Sequence, residues 1–368
     1  MKVLLLGEYS NVHATLAKGL RDLGHEVTLA SNGDFWKNYH RDIDLSRKLG
    51  KLGGIKLLSR VYWYLPKFRG YDIVQIINPL FLELKAKRHF RILEYLRKHN
   101  KKVVLCAFGL DYYWVKYSNE QIFRYGDFNI GNMKRLDREA EEQRKDWLGT
   151  DKEILTKRCT QLCDAIVTGL YEYDAIYRPL FPEKTTFIPF PIIIEQKCSE
   201  QPLNETKKIK LFIGISKNRS AYKGTDIMLK VAQAIKDKYP NDVALQVAEG
   251  IPFAEYRNMM LGSDLLLDQL YSYTPAMNAL EAMSHGIICV GGGEPENYEI
   301  LGEKQLRPII NVEPNYESVF NALENVVLHK ELIPELKRQS VEYIKRHHEH
   351  IKVASQYEAL YNSLLKTK

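Results

Sequence analysis

Two cations in the second half of the chain lie four positions apart, where they could contact an anionic group. Arg219 and Lys223 lie in a polar loop that follows a predicted buried strand, residues 209–213, and Gly224 starts a predicted helix directly after them. Two cations held near a phosphate leaving group stabilise the negative charge that develops on it where water is excluded. Lys-Gly-x-Asp is a weak pattern by itself, because Lys is common at helix starts.

A second segment, residues 264–301, predicts a helix start that faces a ligand. An apolar strand, Leu265–Leu267, leads through a polar loop to a helix bearing Glu281, and a second apolar strand ends in three glycines. α/β proteins place ligands at the carboxyl ends of parallel strands in this way. A helix N-terminus offers unpaired N–H groups and a positive dipole end, which favour a phosphate. The residues at this helix start are Pro275, Ala276, Met277 and Asn278.

The two segments together resemble the C-terminal domain of GT-B glycosyltransferases, particularly the retaining group often called family four. In that group a Glu is followed, after seven residues, by Glu-Ala-Met-Ala-x-Gly, and here EAMSHG begins at Glu281. The first acidic position falls on Tyr273, and the usual glycine three residues later is Ala276. The Arg and Lys that precede a Gly-x-Asp helix start in those enzymes match Arg219 and Lys223.

The resemblance implies a nucleotide-diphosphate sugar as donor substrate, with no separate cofactor and no metal ion. Arg219 and Lys223 would hold the diphosphate, Glu281 would bind the ribose hydroxyls, and these three form the implied catalytic set. The family mechanism would retain the anomeric configuration, with the departing phosphate helping to deprotonate the acceptor. The donor-binding set is Pro275, Ala276, Met277, Asn278, Tyr273 and Gly250. A phenol at Tyr273 can stack on a sugar face, which predicts a changed donor preference.

The alternation of strands and helices predicts an α/β protein with two Rossmann-like domains facing a cleft, the GT-B arrangement. A chain of 368 residues suits two domains. The expected domains are residues 1–195, which would bind the acceptor, and residues 206–345, which would bind the nucleotide sugar. A polar linker, residues 196–208, separates them, and the last helix, residues 352–366, is expected to pack back on the first domain. Residues 116–158 are predicted to form one or two long helices at the edge of that domain.

The acceptor side is predicted at strand ends of the first domain. Gly7 follows the first strand, and Gly109 and Asp111 follow the strand at residues 103–107. Asp111 would orient an acceptor hydroxyl of a glycan or lipid-linked compound, and the aromatic residues after it would stack on a sugar ring. A turn aspartate beside a packed aromatic cluster is an alternative that fits the same residues.

The charge of the chain is concentrated in its first half. Residues 1–110 contain 20 Lys and Arg against 9 Asp and Glu, a net charge of +11, whereas the whole chain has +7. Such asymmetry indicates an anionic partner. In residues 47–69 the cations alternate with leucines and aromatics, which favours a patch on an anionic membrane surface, although a solvated helix face is the alternative. We therefore expect a cytoplasmic protein that is peripheral on the inner membrane face, and the family resemblance implies a role in polysaccharide biosynthesis.

Other classes of protein lack support in the sequence. No Gly-x-Gly-x-x-Gly opens a helix after the first strand and no Gly-x-Ser-x-Gly is present, which excludes the dinucleotide and nucleophile-elbow motifs. The Asp-x-Asp at residues 42–44 is interpreted as a solvated turn, not a metal site. The five scattered cysteines are expected to be reduced thiols. Nucleic-acid binding is disfavoured because no recognition motif accompanies the basic charge.

A rival interpretation comes from a different class. The chain would be a catalytically silent GT-B subunit that binds a partner transferase or an anionic glycan. Tyr273 in place of a carboxylate motivates it, as does the lack of the histidine that relatives often place near residues 106–108.

Overall fold

The chain forms two compact α/β units. The computed structural model describes residues 1–195, 208–216 and 219–367, and the predicted linker at residues 196–208 lies outside the described residues except for Lys208. Unit 1 comprises Met1–Tyr117, Gln143–Pro191 and His350–Lys368, and unit 2 comprises Ser118–Glu142 and Ile192–Glu349. The boundaries at residues 117 and 143 fall inside helices α4 (Tyr112–Asn119) and α5 (Arg138–Trp147).

Unit 1 is built on a parallel sheet whose strands are short apolar runs, as expected where helices cover both faces of a sheet. In sheet order, with numbering along the chain, its strands are β3 (Ile43–Asp44), β2 (Glu26–Ser31), β1 (Lys2–Leu6), β4 (Ile73–Ile76), β5 (Lys102–Cys106), β8 (Ala165–Thr168) and β9 (Thr185–Phe187). Its other helices are α1 (Val12–Asp22), α2 (Gly53–Tyr64), α3 (Ala86–His99), α6 (Asp151–Leu162), α7 (Tyr171–Leu180) and α15 (His350–Lys366). The segment interpreted as a solvated turn thus includes a two-residue edge strand, β3.

Unit 2 has a smaller parallel sheet, and apolar side chains of its three central strands pack against two of its helices. In sheet order its strands are β11 (Val243–Glu249), β10 (Ile209–Ile215), β12 (Leu265–Leu267), β13 (Ile288–Gly291) and β14 (Ile310–Asn311). Its helices are α8 (Ser220–Lys223), α9 (Thr225–Lys238), α10 (Phe253–Leu261), α11 (Met277–Ser284), α12 (Pro295–Leu301), α13 (Tyr316–Leu328) and α14 (Ile333–His347). The two parallel sheets confirm the predicted α/β class.

The final helix, α15, returns to unit 1, as predicted. It packs on α1 so closely that a Cβ added at Gly19 would lie 2.6 Å from the His350 carbonyl oxygen. The buried hydroxyl of Tyr361 donates a hydrogen bond to Gln75 Oε1 of β4 at 2.7 Å. Backbone proximity and a buried polar contact therefore tie this helix to the first unit. Among the described helices, none is long and apolar enough to cross a membrane.

The segment Ser118–Glu142 departs from the expectation of long helices at the edge of the first domain. It contains a two-stranded antiparallel hairpin, β6 (Asn129–Ile130) and β7 (Met133–Lys134), and it clusters with unit 2. The aromatic residues Phe123, Tyr125 and Phe128 are all buried, whereas the charged residues around them dominate the sequence pattern. We call this segment the insert. Its aromatic residues are therefore buried in unit 2 although charged residues surround them in the sequence.

Candidate functional site

The carboxyl ends of the unit 2 strands bring most of the predicted donor residues to one edge of the sheet. Strand β10 is followed by α8 and Lys223, whereas its sheet neighbour β12 is followed by Tyr273 and then α11. The chain runs from β10 to β11 on one side of this pair of strands and from β12 to β13 on the other side. The connections therefore leave β10 and β12 in opposite directions. Ligands of open α/β sheets bind at such switch points.

A tight turn fixes the backbone at Lys223. Gly224 has φ of +75°, a left-handed conformation that glycine adopts without strain, and a Cβ there would lie 2.8 Å from Leu270 Cβ. The close approach allows the Leu270 N–H to donate to the Lys223 carbonyl at 2.9 Å. This contact gives a physical reason for the glycine in Lys-Gly-x-Asp. The Lys223 charge also opposes the effect of burial, which raises the pKa of the Asp268 carboxyl.

Arg219, the second predicted cation, is held by the insert. Its Nε donates to Glu139 Oε1 at 2.7 Å, and its guanidinium lies 5.3 Å from the Tyr222 ring centre. The Arg219 side chain remains 44% exposed. Burial raises the pKa of Glu139, and the charge of Arg219 opposes that rise. Arg219 thus presents its charge beside the Lys223 turn while one edge of the guanidinium pairs with a carboxylate.

Helix α11 begins where the sequence predicted it. Ala276 is its N-cap residue in extended conformation, no side chain caps the helix, and its first turn contains no acidic residue. Pro275 is buried and Met277 is 8% exposed. Asn278 is fixed by two hydrogen bonds, donating to Asp268 Oδ1 and accepting from the Tyr256 hydroxyl, each at 3.1 Å. The start of α11 is therefore rigidly placed.

Glu281 lies on the second turn of α11 and pairs with a cation that the sequence analysis missed. Arg257 of α10 donates from Nε to Glu281 Oε1 at 2.8 Å, and from Nη2 to Glu195 Oε1 at the same distance. The Glu281 side chain is 31% exposed. Its carboxylate is thus oriented by Arg257 and remains accessible to a hydroxyl-bearing ligand.

Tyr273 is covered by the insert. Its side chain is buried, with 2% of the residue exposed, and its hydroxyl accepts a hydrogen bond from the Arg124 N–H at 2.7 Å. The rings of Phe123 and Tyr125 lie 5.6 and 5.0 Å away, and the Arg124 guanidinium lies 4.8 Å from the ring centre. In this arrangement the phenol packs against protein groups, and not against an open surface.

A buried carboxylate, Glu294, anchors the same part of the insert. It accepts hydrogen bonds from Arg124 Nη2 at 2.7 Å, from Asn311 Nδ2 at 3.0 Å and from the Tyr125 hydroxyl. Glu296, two residues later, also pairs with Arg124. The sequence analysis missed these carboxylates, although both follow directly after the three glycines at the end of β13.

Arg135 of the insert is a second residue that the sequence analysis missed. It is 7% exposed, and its guanidinium lies 3.7 Å from the Tyr271 ring centre and 5.5 Å from that of Tyr222. Its Nη2 donates to the Ala221 and Tyr222 carbonyls at 2.8 and 2.9 Å. A buried arginine in a charged segment has no sequence signal that separates it from its exposed neighbours.

Gly250, the remaining donor-side residue, follows β11 in an exposed position. Its φ is +63°, and a Cβ there would meet no heavy atom within 4 Å. Strand β11 lies on the far side of β10 from β12. The structure therefore places Gly250 one strand further from the α11 start than Lys223.

The predicted acceptor residues lie at strand ends of unit 1. Gly7 has φ of +84°, and a Cβ there would lie 2.4 Å from Ile77 Cγ2, so only glycine fits. The Gly109 N–H donates to the Tyr173 hydroxyl at 2.9 Å. Asp111 is fully buried and accepts hydrogen bonds from the Tyr177 hydroxyl at 2.6 Å and the Trp114 N–H at 2.8 Å. Its contacts are those of a helix-capping aspartate in an aromatic cluster.

Burial perturbs the carboxyl groups of this edge. It raises the pKa of Asp111 to about 6, with the Tyr177 hydroxyl and backbone N–H groups opposing the rise. Glu8, directly after Gly7, is 2% exposed and accepts from the N–H groups of His13 and Ala14 in the first turn of α1. Burial raises the Glu8 pKa to about 8. Both carboxyls are occupied by contacts inside unit 1.

Comparison with known proteins shows the fold through solved structures. No protein-family model matches the chain, and no curated protein matches it by sequence. Sucrose-phosphate synthase from Thermosynechococcus elongatus is similar, with 13% identity, a TM-score of 0.63, and complete coverage of both chains. HepE from Anabaena, solved in complex with UDP and glucose, has 11% identity and a TM-score of 0.63 over 99% of this chain and 100% of its own.

A third structure is WaaG, a glycosyltransferase involved in lipopolysaccharide biosynthesis. It has 14% identity and a TM-score of 0.58, covering 98% of this chain and 99% of its own. Each match extends over essentially the whole chain, so both α/β units take part in the similarity. The chain has the fold of these proteins, the GT-B fold predicted from its sequence.

Proposed function

We propose that this protein is a glycosyltransferase that uses a nucleotide-diphosphate sugar as donor and a hydroxyl group of a glycan or lipid-linked compound as acceptor. The observation that carries the proposal is the edge of the unit 2 sheet at the switch point between β10 and β12. Lys223, Arg219 and the uncapped start of α11 all follow strands at this edge. Structures with the same fold include HepE with UDP and glucose and the glycosyltransferase WaaG, which supports this choice.

In the proposed mechanism, positively charged groups bind the diphosphate. Lys223 and Arg219 contact the phosphate oxygens and stabilise the charge that grows as the glycosidic bond breaks. Backbone N–H groups of residues 276–278 at the start of α11 support the same phosphates, whereas Pro275 has no N–H to contribute. Glu281, oriented by Arg257, accepts hydrogen bonds from the ribose hydroxyls. Because these groups neutralise the diphosphate, the proposed reaction requires no metal ion.

The remaining steps of the proposal follow the family that the motifs resemble. The acceptor attacks from the side of the leaving group, the departing phosphate takes the acceptor proton, and the product retains the anomeric configuration of the donor. Positioning then contributes more than a protein nucleophile. The predicted acceptor side remains Gly7, Gly109 and Asp111. Because the Asp111 carboxylate is buried, we propose that it positions the aromatic residues after it and does not contact the acceptor itself.

A second candidate is the catalytically silent subunit. The observation that favours it is that the insert contacts two of the predicted donor residues. Glu139 accepts a hydrogen bond from Arg219, and the Arg124 N–H donates to the Tyr273 hydroxyl. A silent subunit would bind a partner transferase or an anionic glycan and would turn over no donor. The exposed part of Arg219 and the accessible carboxylate of Glu281 favour the transferase.

We also propose that helix α2 docks on an anionic membrane, which would place the enzyme on the cytoplasmic membrane face. Its inward face is formed by buried Leu57 and Val61. Large apolar side chains one or two turns apart on the other face are exposed, and cations flank them. The exposed members are Leu52, Ile55, Tyr62 and Trp63, at 59, 62, 42 and 65%. Apolar burial together with attraction to anionic lipids is the basis of interfacial helix binding.

Nucleotide binding tests the proposed donor site before the acceptor is known. The melting temperature is measured with UDP, GDP and ADP, each with and without EDTA. A ligand that binds only the folded state stabilises it by about 2.7 kcal/mol at one hundred times its Kd. We expect one nucleoside diphosphate to raise the melting temperature equally with and without EDTA. No shift with any of the three would contradict the donor site, and a shift abolished by EDTA would contradict metal independence.

A further inference from the structure

Arg135 of the insert contacts the main chain directly before the proposed phosphate cation. Its Nη2 donates to the carbonyls of Ala221 and Tyr222 at 2.8 and 2.9 Å, and its Nη1 donates to the Gly126 carbonyl at 3.0 Å. Ala221 and Tyr222 are the last residues of α8 before Lys223. Helix carbonyls at a C-terminus lack partners within the helix, so a cation there both satisfies and stabilises them.

The guanidinium is held in place from several sides. The Tyr271 ring centre lies 3.7 Å from it and the Tyr222 ring centre 5.5 Å, and Asp137 Oδ2 lies 3.2 Å from Nη2. Tyr271 belongs to the loop after β12, whereas Tyr222 belongs to α8. Arg135 therefore joins the loop that leads to α11 with the turn that carries Lys223.

The main chain around Lys223 is held by two groups, the Arg135 guanidinium and the Leu270 N–H. Arg135 holds the two preceding carbonyls, and the Leu270 N–H holds the Lys223 carbonyl at 2.9 Å. We propose that Arg135 is a positioning residue for the diphosphate site, acting through the main chain at residues 221–223 to aim the Lys223 ammonium. The inference rests on the proposed donor site and goes beyond it, because it gives the insert a role in positioning the diphosphate-binding residues of unit 2.

The geometry requires an arginine and not merely a positive charge. A planar guanidinium spans three carbonyl oxygens and stacks on aromatic rings, whereas an ammonium is a compact and strongly hydrated point charge. Misplacing a catalytic group by about 1 Å can cost on the order of 100-fold in rate. Arg135→Lys should therefore keep the charge and lose the alignment.

The test compares Arg135→Lys with Arg138→Ala. Arg138 lies three residues later, is 91% exposed and pairs with Glu142 on the surface, so it is a matched control. Calorimetry gives the Kd of each protein for the best nucleoside diphosphate and for the corresponding nucleoside without phosphate. We expect Arg135→Lys to weaken diphosphate binding by about tenfold or more and nucleoside binding by much less, with Arg138→Ala like wild type.

Hydrogen exchange provides a readout that needs no ligand. Faster amide exchange at residues 220–225 in Arg135→Lys, with the sheet unchanged, is the expected result. Unchanged exchange there, unchanged diphosphate affinity, or equal weakening of diphosphate and nucleoside would each overturn the inference. If Arg135→Lys does not fold, Tyr271→Leu, which removes one stacking ring, undergoes the same measurements. Failure of the wild type to bind any nucleotide would instead overturn the proposed function on which the inference rests.

Discussion

The two sheets present different chemistry at their carboxyl edges. In unit 2 the edge carries cations with exposed surface and a helix start without a side-chain cap. In unit 1 the edge carries the carboxyls of Glu8 and Asp111, which are buried and bonded to helix N–H groups of their own unit. A cation that keeps exposed surface, as Arg219 does, can contact a ligand, whereas buried carboxyls that accept hydrogen bonds from their own unit stabilise its fold. The difference is the reason for which we propose that the diphosphate binds to unit 2.

The largest expected effect is that of Lys223→Ala, which tests the charge at the unit 2 edge. Losing one preorganised charged group typically costs about 2–4 kcal/mol of transition-state stabilisation, so kcat/KM should fall by roughly 30-fold to 1,000-fold. The same change at Lys230, an exposed residue of α9, serves as the control. Steady-state kinetics with the identified donor gives both values. Wild-type turnover in Lys223→Ala would remove the main argument for this edge.

Arg219→Ala is expected to cost less, because Glu139 already pairs with that guanidinium. An arginine that shares its charge with a carboxylate contributes less to a second anion, so we expect a loss of roughly tenfold in kcat/KM. Glu139→Gln as a separate single variant shows whether the carboxylate competes with the ligand or positions Arg219. If Glu139→Gln alone strengthens diphosphate binding, the carboxylate competes with the ligand; equal losses in both variants would show instead that it positions Arg219.

The membrane docking that we propose involves helix α2 of unit 1 and therefore tests the other half of the comparison. Burying an apolar side chain contributes roughly 1.5–3 kcal/mol, so replacing Ile55 and Trp63 together by Ala should weaken binding to anionic vesicles roughly tenfold or more. A matched double variant, Ile154→Ala with Leu328→Ala, removes residues of similar exposure elsewhere. Vesicle sedimentation at low salt measures both. Equal binding by the two double variants would contradict docking through α2.

Glu281→Gln tests the ribose assignment. The amide keeps an acceptor for the ligand but loses the charge that pairs with Arg257. We expect nucleotide affinity to fall by about tenfold, equivalent to 1.4 kcal/mol, because hydrogen bonds to a charged acceptor are the stronger ones. Exposed Glu255 of α10, changed to Gln, is the control. An unchanged Kd would assign Glu281 to a structural role with Arg257.

The remaining predictions concern stability instead of ligand binding, and their signs differ between the units. Burial raises the Glu8 pKa from its ordinary value of 4.5 to about 8, so the folded state binds that proton more tightly than the unfolded state. Its contribution is therefore lost as the pH rises from about 4.5 to 8. Relative to wild type, Glu8→Gln should gain melting temperature over this range. A constant difference at all pH values would contradict the buried, protonated carboxyl.

Glu303 of unit 2 should behave in the opposite sense. Burial would raise its pKa, but hydrogen bonds from His347, Leu306 and Gln305 and the charge of Arg346 hold it at about 2. A carboxyl whose pKa is lower in the folded state than in the unfolded state stabilises the fold at pH values above its unfolded-state pKa. This stabilisation is lost as the pH falls toward 2. Glu303→Gln should therefore be destabilising at neutral pH and approach wild type in acid. Melting temperatures between pH 3 and 7 measure the trend.

The sequence predicted the elements that carry the motifs well, because each depends on local pattern. The start of α11 and the glycine turn after Lys223 follow from an apolar strand, a polar loop and a residue with positive φ. The GT-B fold followed from the resemblance of those motifs. Local pattern and the order of the two motifs along the chain, with 58 positions from Lys223 to Glu281, were sufficient for this part.

The insert could not be predicted from the sequence for a physical reason. Residues 118–142 are charged and have no apolar periodicity, and their burial depends on partners far along the chain. Tyr273 meets Arg124 across 149 positions, and Arg135 meets Tyr222 across 87. A segment with few apolar residues carries no signal for the surface that it will cover. The prediction that the Tyr273 phenol can stack on a sugar face was made without that information.

The central claim is tested most directly by donor turnover. Wild-type protein and Lys223→Ala are incubated with a panel of radiolabelled nucleotide sugars, and the released or transferred sugar is measured with water and with membrane extract as acceptors. The account predicts turnover of at least one donor by the wild type and a large loss in Lys223→Ala. No turnover of any donor, together with no nucleotide binding, would contradict it and favour the silent subunit.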